Sequence, residues 1–149
     1  MISKSTEEYL KVIYILKKES GDVRVTDIAK KMNCSKPSVT KQLNILKDNH
    51  LITYESYGSI EITKSGEELA KKVLADYDIL HLFLKDIIGV SEENASSEAA
   101  KIKGVINEET LEKITAYVSN KLGLNKLGCN FNIRNEECRK CISNKLKGI

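Results

Sequence analysis

Proline is almost absent from this sequence: Pro37 stands alone among 149 residues. Glycine is sparse before residue 123. With so few breakers, the long segments of 3.6-residue apolar spacing predict a mostly helical protein with one hairpin. No apolar run approaches the roughly 18 residues a membrane-spanning helix needs. The opening MISKSTEEYLKVIYILKK is broken by Glu7, Glu8 and Lys11, so it reads as an amphipathic helix and not a signal peptide. These absences predict a cytoplasmic protein with no membrane partner. Histidine is scarce, with only His50 and His81, and no carboxylate pair stands in a cleft-like setting. Nucleophile-elbow, phosphate-loop, dinucleotide and zinc-protease motifs are missing too. Catalysis has little to build on, and the expectation is a protein that is not an enzyme.

Hydrophobic residues at 41% and charged residues at 30% give a globular profile, enough for a small domain and an accessory one. A net charge of +3 is too small to diagnose a nucleic-acid partner. Its distribution says more. Residues 1–63 carry 10 basic and 8 acidic side chains, residues 64–122 carry 8 and 11, and residues 123–149 carry 6 and 2. A basic front and an acidic middle fit a DNA-contacting module followed by a separate one.

Residues 5–18 predict a first helix, capped by Ser5 with Glu8 completing a capping box. Val23–Val25 reads as a short strand, and Thr26 as the cap of a short helix over 27–32. Asn33 and Cys34 make a turn. Ser35 caps a third helix that runs to about Asn49, with Pro37 in its first turn, where a missing N–H is harmless. Val39, Leu43 and Leu46 form its buried stripe. ITYE-SYG-SIEIT, residues 52–63, has two alternating runs around a turn and predicts a hairpin. Ser65 with Glu68 would cap a long helix ending near Gly89, followed by helices over about 91–103 and 107–122. The fold class is therefore mainly α: a winged helix-turn-helix with a β-hairpin wing (1–63), an all-helical module (64–122) and a cysteine-containing tail (123–149).

In a helix-turn-helix the second helix of the motif enters the major groove. The third helix here is equipped for it. Lys36, Lys41 and Lys47 are cations for phosphate or guanine, and Ser35, Ser38, Thr40, Gln42 and Asn44 are short polar readers. Pro37 shapes the helix start, whose free N–H groups suit phosphate. Tyr57, with Ser56 and Ser59 in the hairpin turn, would lie against the backbone or minor groove.

Four stretches, STEEYLKVIYIL (5–16), VTDIAKKMNCSKPSVTKQLNILKDNHLI (25–52), ITKSGEELAKKVL (62–74) and LFLKDIIGVSEENA (82–95), resemble the diphtheria-toxin-repressor-like metalloregulators, iron- and manganese-responsive. The resemblance covers roughly residues 4–122. It implies a transcription repressor that binds a palindromic operator on double-stranded DNA as a homodimer, with residues 64–122 as the dimerisation domain. Leu80, Phe83, Leu84, Ile87 and Ile88 are apolar enough for either an interface or a core. The resemblance also implies a metal site, and there the match fails. Glu8 and Glu98 fall on ligand positions, but the other four hold Lys11, Tyr77, Lys101 and Ile102. Hard cations want several oxygen or imidazole ligands, so the family-type manganese or iron site looks degraded. Lys–Glu pairs would then replace the ion electrostatically, and His81 would be a displaced ligand or a packing residue.

Cys129, Cys138 and Cys141 stand in C-x8-C-x2-C spacing inside GCNFNIRNEECRKC. Three thiolates so spaced could hold a metal ion or an iron–sulfur cluster with a fourth ligand from elsewhere, or form a thiol–disulfide switch, or do neither. Cys34 is the remaining cysteine and sits in the turn. Two other functions stay open at this point: a winged helix used for protein contact, and a metal carrier without operator binding.

Overall fold

The computed structural model describes residues 2–56 and 58–123. Tyr57 and the tail cysteines Cys129, Cys138 and Cys141 lie outside the described residues. The chain divides into two compact units, Met1–Val73 and Leu74–Ile149.

The first unit opens with α1, Lys4–Ser20. Its cap is Ser3 and not Ser5: the Ser3 hydroxyl accepts from the Thr6 N–H at 3.1 Å. Ser3 and Thr6 satisfy the first turn by themselves, so the helix begins earlier and leaves Ser5 exposed inside it. Gly21 ends α1 in a positive-φ conformation, with its N–H on the Lys17 carbonyl.

No strand forms over Val23–Val25. The Asp27 carboxylate accepts the Arg24 N–H at 2.9 Å, which makes Arg24 the cap and starts α2 at Val25 (Val25–Met32). Val23 keeps one trace of strand behaviour, since its carbonyl accepts from the Ile60 N–H. Asn33 then takes the left-handed conformation, φ 52°, which asparagine tolerates better than most residues. α3, Lys36–Asp48, follows under a Ser35 cap with Pro37 in its first turn. Val39, Leu43 and Leu46 are fully buried, as their spacing requires. Helices α1, α2 and α3 pack on one another, and α3 packs on the hairpin.

The hairpin pairs β1 (Ile52–Tyr54) antiparallel with β2 (Ile60–Ile62), Thr53 opposite Glu61. Ile52 and Ile60 turn inward while Thr53 and Glu61 face solvent. Its exit is held by Thr63. The Thr63 hydroxyl donates to the His50 carbonyl at 2.7 Å and accepts from the Gly66 N–H at 3.1 Å. The Thr63 N–H bonds the Leu51 carbonyl. Thr63 therefore begins α4 (Lys64–Leu82), and Ser65, the expected cap, is exposed. Gly66 sits where a Cβ would collide with the Leu51 carbonyl oxygen. The I-T-x-x-G pattern is thus a packing requirement.

In the second unit α4 widens its register into a π-helical segment, Phe83–Ile88, and stops at Gly89 with φ 88°. α5 (Glu92–Val105) and α6 (Glu108–Lys121) follow, capped by Ser91 and Asn107. Leu80, Leu84, Ala95, Ala99 and Leu111 form one apolar cluster; Ile79, Leu82 and Val118 form another. Leu80 and Leu84 are core, Phe83 and Ile87 are half-buried, and Ile88 is 58% exposed.

Replacing Gly66 with Ala should cost about 2–3 kcal/mol of stability, because the new methyl has only backbone to push against. Gly104→Ala lies within α5 with nothing within 4 Å of the new methyl, and should gain about 0.5 kcal/mol. Urea denaturation followed by circular dichroism checks both; equal midpoints would contradict the packing argument.

Candidate nucleic-acid interface

α3 presents Ser35, Lys36, Pro37, Ser38, Lys41, Asn44 and Lys47 on its exposed side, with Thr40 half-buried among them. The only carboxylate on the helix is Asp48, at its last position. The cap also shapes this face. Ser35 Oγ lies 2.9 Å from Ser38 Oγ and accepts the Ser38 N–H, so both hydroxyls sit at the helix N-terminus. The Thr40 hydroxyl donates to the Lys36 carbonyl at 3.0 Å.

Gln42 behaves differently from its expected role as a reader. Its Oε1 accepts a 2.8 Å hydrogen bond from the Thr6 hydroxyl of α1, and the side chain is half-buried. Thr6 itself is buried at 2% exposure. Gln42 fixes the angle of α3 on α1 and so positions the exposed face. Tyr9 adds a second tie from α1, its hydroxyl donating to Cys34 Sγ at 3.5 Å across the turn that precedes α3. That bond, and burial after it, hold the Tyr9 pKa above its ordinary value, so the phenol stays a donor.

A cleft of about 520 Å³ opens beside α3, lined by Arg24, Thr26, Lys36, Thr40, Tyr54 and Gly58 among others. Arg24 and Thr26, at the start of α2, were missed from sequence. The signal was present in Arg24 preceding Asp27 by three residues, the spacing that makes Arg24 a cap. The cleft joins two helix N-termini, whose partial positive charge and unpaired N–H groups favour phosphate.

The family ligand positions give a different picture. Glu8 pairs with Lys11 at 2.5 Å, one turn along α1. In the second unit the Tyr77 hydroxyl donates to the Ser96 carbonyl at 3.5 Å, and its ring stacks on His81 with centroids 6.1 Å apart. His81 Nε2 lies 2.9 Å from Glu92 Oε1, and Lys85 Nζ lies 2.5 Å from Glu92 Oε2. His81 is thus engaged with a carboxylate. Glu98 and Lys101 are exposed on α5, and Ile102 packs against the apolar cluster. Among the described residues, no group of three histidine, cysteine, aspartate or glutamate side chains is placed to hold a metal ion. No described helix is long and apolar enough to cross a membrane.

A helix-turn-helix with a wing, a basic recognition face and a following helical unit defines a winged-helix DNA-binding regulator. The chain matches the family models for the iron dependent repressor N-terminal DNA-binding domain over residues 1–60 and for its metal binding and dimerisation domain over residues 63–121. It belongs to the iron dependent repressor family, which consists of transcriptional regulators and not enzymes. An HTH-type transcriptional regulator of Methanocaldococcus jannaschii is 33% identical over 118 residues, 78% of this chain and 94% of that protein. The HTH-type transcriptional regulator MntR of Geobacillus kaustophilus is 32% identical over 114 residues, 76% of this chain and 80% of that protein. The solved structure of IdeR from T. acidophilum shares the fold, with a TM-score of 0.66, 24% identity and coverage of 83% of this chain. The chain spans 55% of that solved chain's length.

Glu92 supplies a test of the second unit's geometry. The Lys85 ammonium first, and His81 after it, hold its carboxyl at about 2, below its ordinary 4.5. The interaction therefore stabilises the fold above pH 4.5 and is lost as the pH falls toward 2. A carboxyl-carbon NMR titration should find the Glu92 midpoint near 2, and Lys85→Met should move it back toward 4.5. A midpoint near 4.5 in the unaltered protein would contradict the ion pair.

Proposed function

We propose that this protein is a homodimeric repressor that reads a palindromic operator with α3. The domains are DNA-binding over 1–63, dimerisation over 64–122 and a cysteine tail over 123–149. The observation that carries the reading is the exposed face of α3. Three lysines and short hydroxyl and amide groups share that face with one carboxylate at its far end. Lys36, Lys41 and Lys47 neutralise phosphate or contact guanine, while Ser35, Ser38, Thr40 and Asn44 read base edges or fix register. Pro37 stiffens the helix start, and Gln42 holds the helix in place. The α2 start, with Arg24, seats a neighbouring phosphate, and Tyr57 in the wing reaches the backbone or minor groove.

Dimerisation rests on an apolar groove of about 450 Å³ lined by Phe83, Ile87, Ile88, Ile114 and Tyr117. Ile88 and Tyr117 are 58% and 51% exposed there, which is a poor arrangement for a monomer in water. A second copy covering it gives the twofold symmetry that a palindrome mirrors. A repressor meets its operator in the cytoplasm, where we place the protein. Control through Cys129, Cys138 and Cys141, by a metal ion, an iron–sulfur cluster or thiol oxidation, is supported by their spacing alone.

With an operator selected from a random duplex library, Lys41→Ala or Lys36→Ala should weaken binding by about 1–3 kcal/mol and flatten the salt dependence by about one unit. Unchanged affinity in both variants would remove α3 from the interface. Ile88→Glu should shift the dimer to monomer in sedimentation while changing monomer stability by less than about 0.5 kcal/mol, since the side chain is exposed. A persistent dimer would move the interface elsewhere.

A further inference from the structure

The stretch that matches the family's metal binding and dimerisation domain, residues 63–121, contains one histidine, His81. That histidine bonds Glu92, which Lys85 also bonds. Glu67 is paired with Lys71 at 3.1 Å. α5 carries Lys101 on its surface and buries Lys103 at 5% exposure. In the first unit, Glu8 is paired with Lys11 and Glu7 with Lys4. The Lys11 ammonium thus sits on Glu8, one of the two carboxylates at the positions given by resemblance.

The donor set does not fit a hard cation. Mn²⁺ and Fe²⁺ need several oxygen or imidazole donors converging on one point. The positions given by resemblance hold two carboxylates, two ammoniums, a phenol and an aliphatic side chain. An ammonium beside a carboxylate cancels its charge and repels a second cation at the same distance. The Lys11–Glu8 pair is also local to one turn of α1, so its geometry is set by the helix and needs no ion to form.

We infer that the Lys11–Glu8 pair takes the place of an ion at the positions given by resemblance, and that this chain folds and binds its operator with no Mn²⁺ there. The effector, if the protein has one, acts through other residues. The inference rests on the operator-binding reading for its DNA arm only.

Manganese tests it cleanly, because thiolates of the tail are poor ligands for this hard cation. Full-length protein is stripped with a chelator and titrated with MnCl2, with bound ion followed by electron paramagnetic resonance. Operator affinity is measured by fluorescence anisotropy with and without the ion. The expected result is no stoichiometric Mn²⁺ and less than about a twofold change in operator affinity. Micromolar binding that disappears in Glu8→Gln or Glu98→Gln, or an operator affinity that rises about tenfold or more with Mn²⁺, would overturn the inference. Mn²⁺ binding that survives both substitutions, without an effect on the operator, lies at a different site and leaves the inference standing. If no duplex is selected at all, the operator reading fails, while the resonance titration still decides the metal question.

Discussion

The winged unit depends on one close approach of backbone to backbone. The chain leaves α3 through His50 in a left-handed turn, φ 58°, runs down the hairpin, and returns so that α4 starts against the Leu51 carbonyl. Only a residue without a Cβ fits at Gly66. Thr63 closes the junction by bonding His50 and Gly66 with one hydroxyl. This contact fixes the hairpin against the end of the recognition helix. Two polar ties from α1, Thr6 to Gln42 and Tyr9 to Cys34, hold its middle and the turn before it. A rigid helix presented at a set angle is what groove recognition needs, because misplacing a few donors forfeits their pairing with base edges.

The electrostatics of the chain follow the same division of labour. α3 keeps its lysines exposed and nearly free of carboxylates, which leaves their charge available to phosphate. The second unit does the opposite. Lys85 and His81 converge on Glu92. These exposed pairs contribute little to stability individually. Their meaning is chemical: a carboxylate already matched to an ammonium is not a vacant ligand for a divalent cation. The chain keeps the family's fold and matches Glu8 and Glu92 with ammonium groups of its own.

Much of the winged unit was legible from sequence because its signals are local. Ser35 with Pro37, the stripe Val39, Leu43 and Leu46, and the alternating runs around the wing each determine an element by themselves. Cap assignments were off by two residues, at Ser5, Thr26 and Ser65: a second hydroxyl competed at the starts of α1 and α4, and at α2 the Asp27 carboxylate made Arg24 the cap. At α4 the winner depended on a longer-range contact: Thr63 caps the helix because His50 accepts its proton, which no local pattern encodes. Gln42 was grouped with the readers because helical spacing cannot say that Thr6, 36 positions away in sequence, would claim its amide. The apolar run from Leu80 to Ile88 was divided into core and surface only by the change to a π-helical register, which rotates Ile88 out.

The central claim is that α3 lies in the major groove of a twofold-symmetric site, and methylation interference measures it most directly. Guanine N7 faces the major groove, so methylation there blocks a helix seated in it. On a selected duplex, the account predicts interference at guanines in two symmetric half-sites separated by about one helical turn or a multiple of it. Interference lacking symmetry, or confined to minor-groove adenine positions, would contradict it.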